Sequence, residues 1–448
     1  MDNYLITNAR IVNQGTVTHG FVLVRGGIIR AVAPGKPDAE SDQAELIDAG
    51  GKFLIPGVID EHVHFREPGL THKAEIASET RAAVAGGVTS YMEMPNTHPP
   101  TVTLEELQKK YARAAEVSLA NYSFYLGATG NNISEIRKLD PVSNCGVKLF
   151  MGSSTGDMQV SDPQAREQIF AESPGLLVVH CEDDPLIEKN LSEQQKKFGE
   201  EIPVSMHPVI RSEEACYRSS SLAVELARKH NTRLHVLHVS TAREIELFEQ
   251  GTHFEKKKIT AEVCVHHLWF QDADYERKGS LIKWNPAIKT LHDRDSLLGG
   301  LLSDKLDTVA TDHAPHTIEE KQNSYLQAPS GGPMIQHSLV AMLEFVHRKK
   351  LTIEKVVEKM CHAPARLFGM KQRGFILPGY KADLVLVDMN RHWTVARRGL
   401  HYKCGWSPLE GEVFHSAVTH TWVNGKLVFM NGMFNEMVRG ERLGFERS

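Results

Sequence analysis

The strongest constraint on the fold is a repeated alternation of short apolar segments with amphipathic segments through the middle of the chain. The apolar segments are typical of buried strands, and the segments between them, such as 104–116 and 213–229, have helical periodicity. The predicted strands are 53–64, 87–94, 122–128, 146–150, 176–181, 233–239, 259–265 and 307–313. Strands that alternate with helices form parallel sheets, and eight such units predict an α/β fold, a (β/α)8 TIM-like barrel.

Both ends of the chain have a different pattern. Residues 4–32 alternate apolar and polar side chains, as in short antiparallel strands, and 382–388 is a further strand. Asn424-Gly425 is a strong signal for a two-residue hairpin turn. We therefore predict a small β-sandwich domain built from both chain termini. The expected domain bounds are 1–52 plus 375–448 for the sandwich and 53–374 for the barrel.

Composition excludes several other classes of protein. The net charge of −5 gives no indication of a nucleic-acid or membrane-surface partner. No apolar run approaches the roughly 20 residues that span a bilayer, and the N-terminal residues do not resemble a signal peptide. The six cysteines lack CxxC spacing, which is typical of buried thiols in a reducing compartment. We expect a cytoplasmic protein that acts on a small molecule and forms a dimer or a tetramer.

The first predicted strand of the barrel carries the pattern with the clearest chemical meaning. Its alternate positions from 60 to 66 are occupied by Asp60, His62, His64 and Arg66. In a strand these side chains would project from the same face, so the two histidines could bind one metal ion. A lone HxH is more often a pair of hydrogen-bonded core histidines, so the interpretation depends on the rest of the chain.

Further residues that can bind metal lie at or near the ends of the fourth, fifth, sixth and eighth strands. They are Lys148, His180, His238 and Asp312. Each has an ordinary explanation, such as an ion pair for a buried lysine or a helix cap for an aspartate. Active sites of (β/α)8 barrels, however, lie at these carboxyl ends. Neutral imidazoles with a carboxylate suit zinc, and a shared anionic bridge suits a two-metal site.

Taken together, these motifs resemble the amidohydrolase superfamily, and within it the dihydroorotases, over essentially the whole chain. The segments that carry the resemblance are 56–69 (PGVIDEHVHFREPG), 95–97 (PNT), 180–183 (HCED), 238–241 (HVST), 285–286 (NP) and 311–316 (TDHAPH). The resemblance implies reversible cyclisation of N-carbamoyl-L-aspartate to L-dihydroorotate, a step of pyrimidine biosynthesis. It also implies two Zn²⁺ per subunit, bridged by a carbamylated lysine. The implied ligands are His62, His64, Lys148, His180, His238 and Asp312.

The resemblance also implies roles in catalysis and in substrate recognition. Asp312 would be the general acid and base that carries a proton between water and the departing amide nitrogen. Arg66 would bind the substrate carboxylate that neutral hydantoins and dihydrouracil lack. Asn96 and His316 would be further donors to that carboxylate, and Asn285 would contact the amide edge of the ring.

The bridging lysine leaves the substrate open. Many bacterial dihydroorotases similar to this chain have Asp at that position, whereas Lys148 resembles the animal enzyme, allantoinases and hydantoinases. Allantoinase and hydantoinase or dihydropyrimidinase activities are therefore the alternatives. A non-catalytic scaffold is a further one, although such relatives lose metal ligands. If Lys148 is not carbamylated, Asp157 or Glu182 would be the carboxylates to consider at the bridge.

Three smaller features remain open. Arg66 could form a salt bridge with a neighbouring glutamate instead of binding substrate. His266 and His267 follow the seventh strand, where structural histidines explain the sequence as well as site residues do. Residues 319–334 are polar and glycine-rich, and they are predicted as either a lid over the substrate or an ordinary surface loop.

Overall fold

The computed structural model describes residues 3–36, 44–152, 158–254 and 256–446. The strands of these residues are β1 Tyr4–Asn13, β2 Thr16–Arg25, β3 Ile28–Pro34, β4 Glu45–Asp48, β5 Phe53–Pro56, β6 Val58–Val63, β7 Val88–Glu93, β8 Asn121–Phe124, β9 Leu126–Gly127, β10 Val147–Phe150, β11 Leu176–His180, β12 Arg233–Val236, β13 Ile259–Cys264, β14 Thr308–Ala310, β15 Leu384–Asp388, β16 Trp393–Thr394, β17 Val413–Phe414, β18 Ala417–Val423, β19 Lys426–Met430 and β20 Met433–Phe434. The α-helices are α1 Ile76–Ala85, α2 Leu104–Val117, α3 Ile133–Ile136, α4 Pro163–Glu172, α5 Asp184–Phe198, α6 His207–Ile210, α7 Glu213–His230, α8 Val265–Trp269, α9 Tyr275–Lys278, α10 Leu291–Leu302, α11 Ile318–Lys321, α12 Ser338–His347, α13 Ile353–Val357 and α14 Ala363–Phe368. None of the helices among the described residues has both the length and the apolar character needed to cross a membrane.

The middle of the chain forms the predicted parallel barrel. β6, β7 and β8 pair in that order, and β9 to β14 form a second run of parallel strands. β8 and β9 are consecutive parts of one predicted strand, so the barrel has eight strand positions. β6 closes onto the segment after β14, where the His64 N–H donates to the His313 carbonyl at 2.7 Å. This closure brings the HxH motif beside the motif that contains Asp312.

The helices between the barrel strands begin and end at residues whose chemistry explains their bounds. The Ser212 hydroxyl accepts a hydrogen bond from the Ala215 N–H and caps the N-terminus of α7. α7 ends at Asn231, whose left-handed φ of 57° is tolerated better by asparagine than by most residues. The face of α7 that contacts the barrel carries small side chains, among them Ala223 and Ala227, which are buried. Helices of this kind cover the outside of the strands, whose residues are buried.

The ends of the chain form one mixed sheet with the order β20-β19-β18-β15-β5-β1-β2-β3, and β4 pairs with β1. β1 is antiparallel to β2 but parallel to β4 and β5. The predicted hairpin joins β18 to β19, and Asn424 and Gly425 both have the positive φ that this turn requires. One face of the sheet buries a separate apolar cluster that includes Ile6, Leu384 and Trp422.

The strand predicted over 53–64 is in fact two strands in two different sheets. β5 pairs with β1 and β15 in the terminal sheet, whereas β6 pairs with β7 in the barrel. Gly57 separates them, and a Cβ at this position would lie 1.9 Å from the Thr89 hydroxyl oxygen. Only glycine allows the chain to pass this close to β7. The change of sheet is hidden in the sequence because both halves are buried and apolar.

Candidate active site

His62, His64 and Asp312 form a buried cluster at the carboxyl end of the barrel. The Nε2 atoms of both histidines lie 3.2 Å from the same oxygen, Oδ1 of Asp312. No more than 6% of the surface of any of these three residues is exposed. The three ligand atoms are close enough to bind one metal ion. The structure therefore brings together three of the six predicted ligands.

The other ring nitrogen of each histidine is held by an oxygen acceptor. His62 Nδ1 lies 2.9 Å from Glu262 Oε1, and His64 Nδ1 lies 2.6 Å from Asn96 Oδ1. These acceptors assign a hydrogen to each Nδ1, so the ring nitrogen available to a metal ion is the Nε2 that faces Asp312. This arrangement is typical of histidines that bind metal. Glu262 was missed by the sequence analysis, although an acid within the apolar strand ITAEVC was an available signal.

His180 and His238 lie next to this cluster. His180 Nδ1 is 2.8 Å from His238 Nε2, and the His238 ring centroid is 5.3 Å from that of His62. Burial lowers the pKa of both His180 and His238, so both imidazoles are neutral at pH 7 and can act as ligands. The structure thus places all four predicted histidine ligands in one continuous group.

Lys148 is also buried near this group, on β10. Its Nζ lies 4.6 Å from the centroid of the Phe150 ring, and no carboxylate of the described residues forms an ion pair with it. Burial lowers the pKa of Lys148 to about 7, against which Asp312 acts more weakly. A substantial fraction of the amine is therefore neutral and nucleophilic at neutral pH. Of the two alternative carboxylates, Glu182 lies 3.3 Å from His180 Nε2 and pairs with Arg211, and Asp157 lies outside the described residues.

Three residues of the site have strained backbone conformations. Arg66, His238 and Asp312 have φ values of 68°, 40° and 44°, in the left-handed region that side chains with a Cβ rarely adopt. Such conformations cost of order 1–3 kcal/mol each and persist where the surrounding structure fixes them. Burial alone would raise the pKa of Asp312. The adjacent His62 and His64 outweigh this effect and lower the pKa below its usual value, so the carboxylate is ionised. The strained positions coincide with residues predicted to bind metal or substrate.

A small cavity of about 20 Å³ adjoins the cluster, and its walls include Arg66, Asn96 and Asn285 together with His64 and Asp312. The guanidinium of Arg66 is buried, and its Nε donates to the Pro315 carbonyl at 3.1 Å. Nη1 of Arg66 and Oδ1 of Asn285 have no hydrogen-bond partner among the described residues. The cavity thus combines an unpartnered guanidinium N–H with an unpartnered amide oxygen beside the histidine–aspartate cluster.

The alternative role for Arg66, a salt bridge with a neighbouring glutamate, is not found among the described residues. Glu67 pairs with Arg113, and Glu75 pairs with Lys403. Arg66 is therefore a buried cation with no carboxylate in contact.

His316 lies behind Arg66 and does not line the cavity. Its Nε2 is 3.0 Å from Arg66 Nη2 and 3.0 Å from the Ser330 carbonyl oxygen, and its Nδ1 is 3.0 Å from Lys73 Nζ. Both ring nitrogens are therefore engaged by protein groups. The structure thus places the imidazole where it supports Arg66, and direct donation from His316 to substrate stays a prediction.

The segment 319–334 is held in place by two buried lysines. Lys321 Nζ donates to three backbone carbonyls, those of Lys283, Pro329 and Gly331. Lys283 Nζ in turn donates to the carbonyls of Tyr325 and Ala328. Ser330 and Gly331 line the cavity. The segment is therefore an anchored wall of the cavity and not an ordinary surface loop, and neither lysine was recognised in the sequence.

His266 and His267, which have no predicted role, support another part of the cavity wall. The His266 ring stacks on Trp284 with 4.3 Å between centroids, and His267 Nε2 lies 3.1 Å from the Pro286 carbonyl oxygen. Trp284 lines the cavity, and its Nε1–H points to the backbone oxygen of Asp312 at 3.4 Å. These histidines orient the wall that carries Trp284 and Asn285.

Comparison with known proteins agrees with this geometry. Residues 53–428 match the amidohydrolase family. A dihydroorotase of Methanosarcina acetivorans is 31% identical over 99% of this chain and 96% of its own length. An L-hydantoinase of Paenarthrobacter aurescens is 31% identical over 96% of this chain and 95% of its own length.

Among solved structures, L-hydantoinase (dihydropyrimidinase) from Arthrobacter aurescens has a TM-score of 0.92 with this chain at 28% identity, covering 99% of this chain and 100% of that one. This likeness confirms the predicted barrel with a β-sandwich made from both termini. The family match and the near full-length relatives confirm the resemblance inferred from the motifs. Its buried histidine–aspartate cluster is consistent with the metal site of such an enzyme, and the chain belongs to the amidohydrolase family.

Proposed function

We propose that this protein is a dihydroorotase, which interconverts N-carbamoyl-L-aspartate and L-dihydroorotate in pyrimidine biosynthesis. The observation that carries the proposal is the buried Arg66 in the wall of a small cavity that also contains His64 and Asp312. Dihydroorotate has a carboxylate beside the amide that is hydrolysed, and a guanidinium with a free N–H group is the residue best suited to bind it. The dihydroorotase relatives support the same substrate.

The donor set of the cluster fits two divalent metal ions, for which we propose Zn²⁺. The ligands would be His62, His64, Lys148, His180, His238 and Asp312. The Nδ1–H groups of His62 and His64 are satisfied by Glu262 and Asn96, so their lone pairs are available. When bound, such ions lower the pKa of a water molecule and polarise the carbonyl that it attacks. Elemental analysis of the purified protein tests both the identity and the number of the metals.

We assign the bridging position to carbamylated Lys148. The neutral Nζ would attack the carbon of CO₂, form an N–C bond and lose a proton, which gives an anion with two oxygens. Replacing Lys148 by Ala should remove metal and activity together, and short carboxylic acids added with metal should restore part of both. Carbon-13 NMR after labelling with ¹³CO₂ should show the carbamate in wild-type enzyme. A metal-loaded, active enzyme in which Lys148 is a bare amine would contradict this assignment.

Asp312 is the proposed acid and base. In hydrolysis its carboxylate takes the proton from the attacking water and delivers it to the departing amide nitrogen. In cyclisation the same group takes the proton from the ureido nitrogen. The neighbouring histidines keep Asp312 ionised, so it is ready to accept a proton at neutral pH. Arg66 and Asn285 hold the substrate in the orientation that this transfer requires.

Hydantoinase activity is the second candidate, because an L-hydantoinase relative is 31% identical and a solved L-hydantoinase structure has a TM-score of 0.92 with this chain. Hydantoin and dihydrouracil lack the carboxylate that Arg66 would bind. The deciding experiment compares dihydroorotate, dihydrouracil, hydantoin and allantoin as substrates of wild-type enzyme and of Arg66→Met. Arg113→Met is the control, since Arg113 is partly exposed and pairs with Glu67.

A charge-assisted hydrogen bond is worth roughly 1.5–3 kcal/mol, which corresponds to a loss of about 10-fold to 150-fold. Arg66→Met should reduce kcat/KM for dihydroorotate by at least this factor and leave any activity on dihydrouracil nearly unchanged. Equal losses on both substrates would mean that Arg66 is structural, and a preference of wild-type enzyme for hydantoin would favour the second candidate. The homo-oligomer predicted from the sequence is tested by light scattering of the same preparations.

A further inference from the structure

A second group of metal-capable side chains lies inside the barrel, on the other side of Glu262 from His62. Glu61 of β6, His235 of β12 and Glu262 of β13 contribute ligand atoms that all lie within 4.8 Å of one another. All three residues are completely buried. The Thr308 hydroxyl also faces Glu61, and its strand, β14, lies between β13 and β6 in the barrel. Four adjacent strands thus direct polar groups to one point in the barrel core.

The polar atoms at this point are almost all hydrogen-bond acceptors. Glu61 Oε1 and Oε2, Glu262 Oε2 and His235 Nε2 have no hydrogen-bond partner of normal geometry among the described residues. The Thr260 hydroxyl donates to the Leu234 carbonyl at 3.1 Å, so it accepts the hydrogen of His235 Nδ1 at 2.9 Å. His235 Nε2 is therefore a lone pair. Four acceptors face one another, and the donors beside them among the described residues are the Thr308 hydroxyl and the backbone N–H of Glu61.

Neither a water molecule nor a single shared proton satisfies such a group. A water molecule has two hydrogens for four acceptors and leaves both carboxylate charges in a low-dielectric interior. One proton shared between Glu61 and Glu262 neutralises a single charge and leaves the lone pair of His235 without a donor. A divalent cation balances both carboxylates and accepts all the lone pairs at once. The imidazole whose other nitrogen donates to an oxygen is again the arrangement typical of a metal ligand.

We infer a further divalent-cation site formed by Glu61, His235 and Glu262, separate from the six ligands of the catalytic cluster. Two carboxylates and one imidazole suit Zn²⁺ or a similar first-row ion. The site is connected to the catalytic cluster through one residue, because Glu262 Oε1 also accepts hydrogen bonds from His62 Nδ1 and from the His238 N–H. A cation here would fix Glu262, which orients His62. The cation would therefore be a positioning element and would take no direct part in the reaction.

The test is to locate and count metal in crystals of the Zn²⁺-loaded protein by anomalous diffraction at the zinc edge, with elemental analysis in solution. Wild-type protein should show a peak among Glu61, His235 and Glu262 in addition to those of the catalytic cluster. Glu61→Gln and His235→Asn should each lose that peak and one metal equivalent per chain while the catalytic peaks remain. The matched control is His180→Asn, which should lose metal from the catalytic cluster and keep the peak beside Glu61.

The inference is overturned if wild-type crystals show catalytic peaks and none beside Glu61, or if the third peak persists in both Glu61→Gln and His235→Asn. Infrared spectroscopy then identifies the true occupant, because a protonated carboxylic acid has a carbonyl band that would disappear in Glu61→Gln. Should the variants fail to fold, the wild-type crystal alone decides. This result is independent of the proposed function. Wild-type crystals with a peak beside Glu61 and no catalytic peaks would refute the function and not the further site.

Discussion

The anchoring of residues 319–334 by Lys321 gives a prediction whose size follows from the structure. The ammonium donates to the carbonyls of Pro329 and Gly331, both at 2.8 Å, and more weakly to that of Lys283 at 3.3 Å. Hydrogen bonds to charged groups contribute roughly 1.5–3 kcal/mol each, so the two short ones stabilise the segment by about 3–6 kcal/mol. Burial lowers the pKa of Lys321 strongly, which reflects a desolvation cost that offsets part of this gain.

Replacing Lys321 by Met keeps the apolar stem and removes the three donors. We expect a net loss of about 2–4 kcal/mol for the segment, which at 1.4 kcal/mol per factor of ten makes its backbone amides exchange roughly 30-fold to 700-fold faster. Hydrogen exchange followed by mass spectrometry measures this on peptides from 319–334, with peptides from α7 as an internal reference. The exposed Lys189→Met on α5 is the matched control and should leave exchange unchanged.

Unaltered exchange of 319–334 in Lys321→Met would refute this account of the wall. A uniform increase over the whole chain would also contradict it, because the bonds that are lost all end within the segment or at Lys283. A local increase accompanied by a higher KM would agree with the contribution of Ser330 and Gly331 to the cavity.

Two further predictions concern the metal cluster and the barrel core. Asn96→Ala removes the acceptor of the His64 Nδ1–H and should weaken metal binding about 10-fold to 100-fold in a chelator competition, whereas unchanged affinity would show that Asn96 does not orient His64. Burial, partly offset by Lys257, raises the pKa of Asp307 from 3.8 to about 6, so this group stabilises the fold fully below pH 4 and loses that contribution as pH rises through 6. Urea titrations measure the free energy of unfolding of wild-type protein and of Asp307→Asn. The wild-type value minus the variant value should fall by up to about 3 kcal/mol between pH 4 and pH 7. A difference that does not change with pH would contradict the shift.

The sequence was sufficient where structure is determined by local pattern. Alternation in β6 correctly placed His62 and His64 on one face, because the side-chain direction in a strand depends only on position. The hairpin at Asn424-Gly425 was predictable because few other residues adopt its backbone conformation. The carboxyl ends of parallel strands meet at one end of a barrel, so residues from β10 to β14 could be assigned to one site before their distances were known.

The sequence was insufficient where the outcome depends on contacts between distant segments. The division of 53–64 into β5 and β6 depends on the contact of Gly57 with Thr89, and apolar composition does not reveal it. His316 is turned towards Arg66 by Lys73 and Ser330, and neither contact has a local signature. The sequence does not distinguish a buried lysine such as Lys321 from a surface lysine. Its role is defined by the backbone carbonyls that the fold brings around it.

The electrostatics of the barrel interior connect the catalytic cluster with the further site. Asp60, Glu61, Glu262 and Asp312 are buried together, and burial raises the pKa of Asp60 to about 7 and that of Glu61 well above its usual value. Burial lowers the pKa of His64, His180 and His238, whereas Glu262 and Asp312 outweigh burial and raise that of His62, so one of these four imidazoles favours the charged form beside several carboxylates. Cations bound on both sides of Glu262 would balance them without protonating the groups that orient His62. The surplus of buried carboxylates is thus a single physical argument for both the proposed catalytic metals and the proposed additional one.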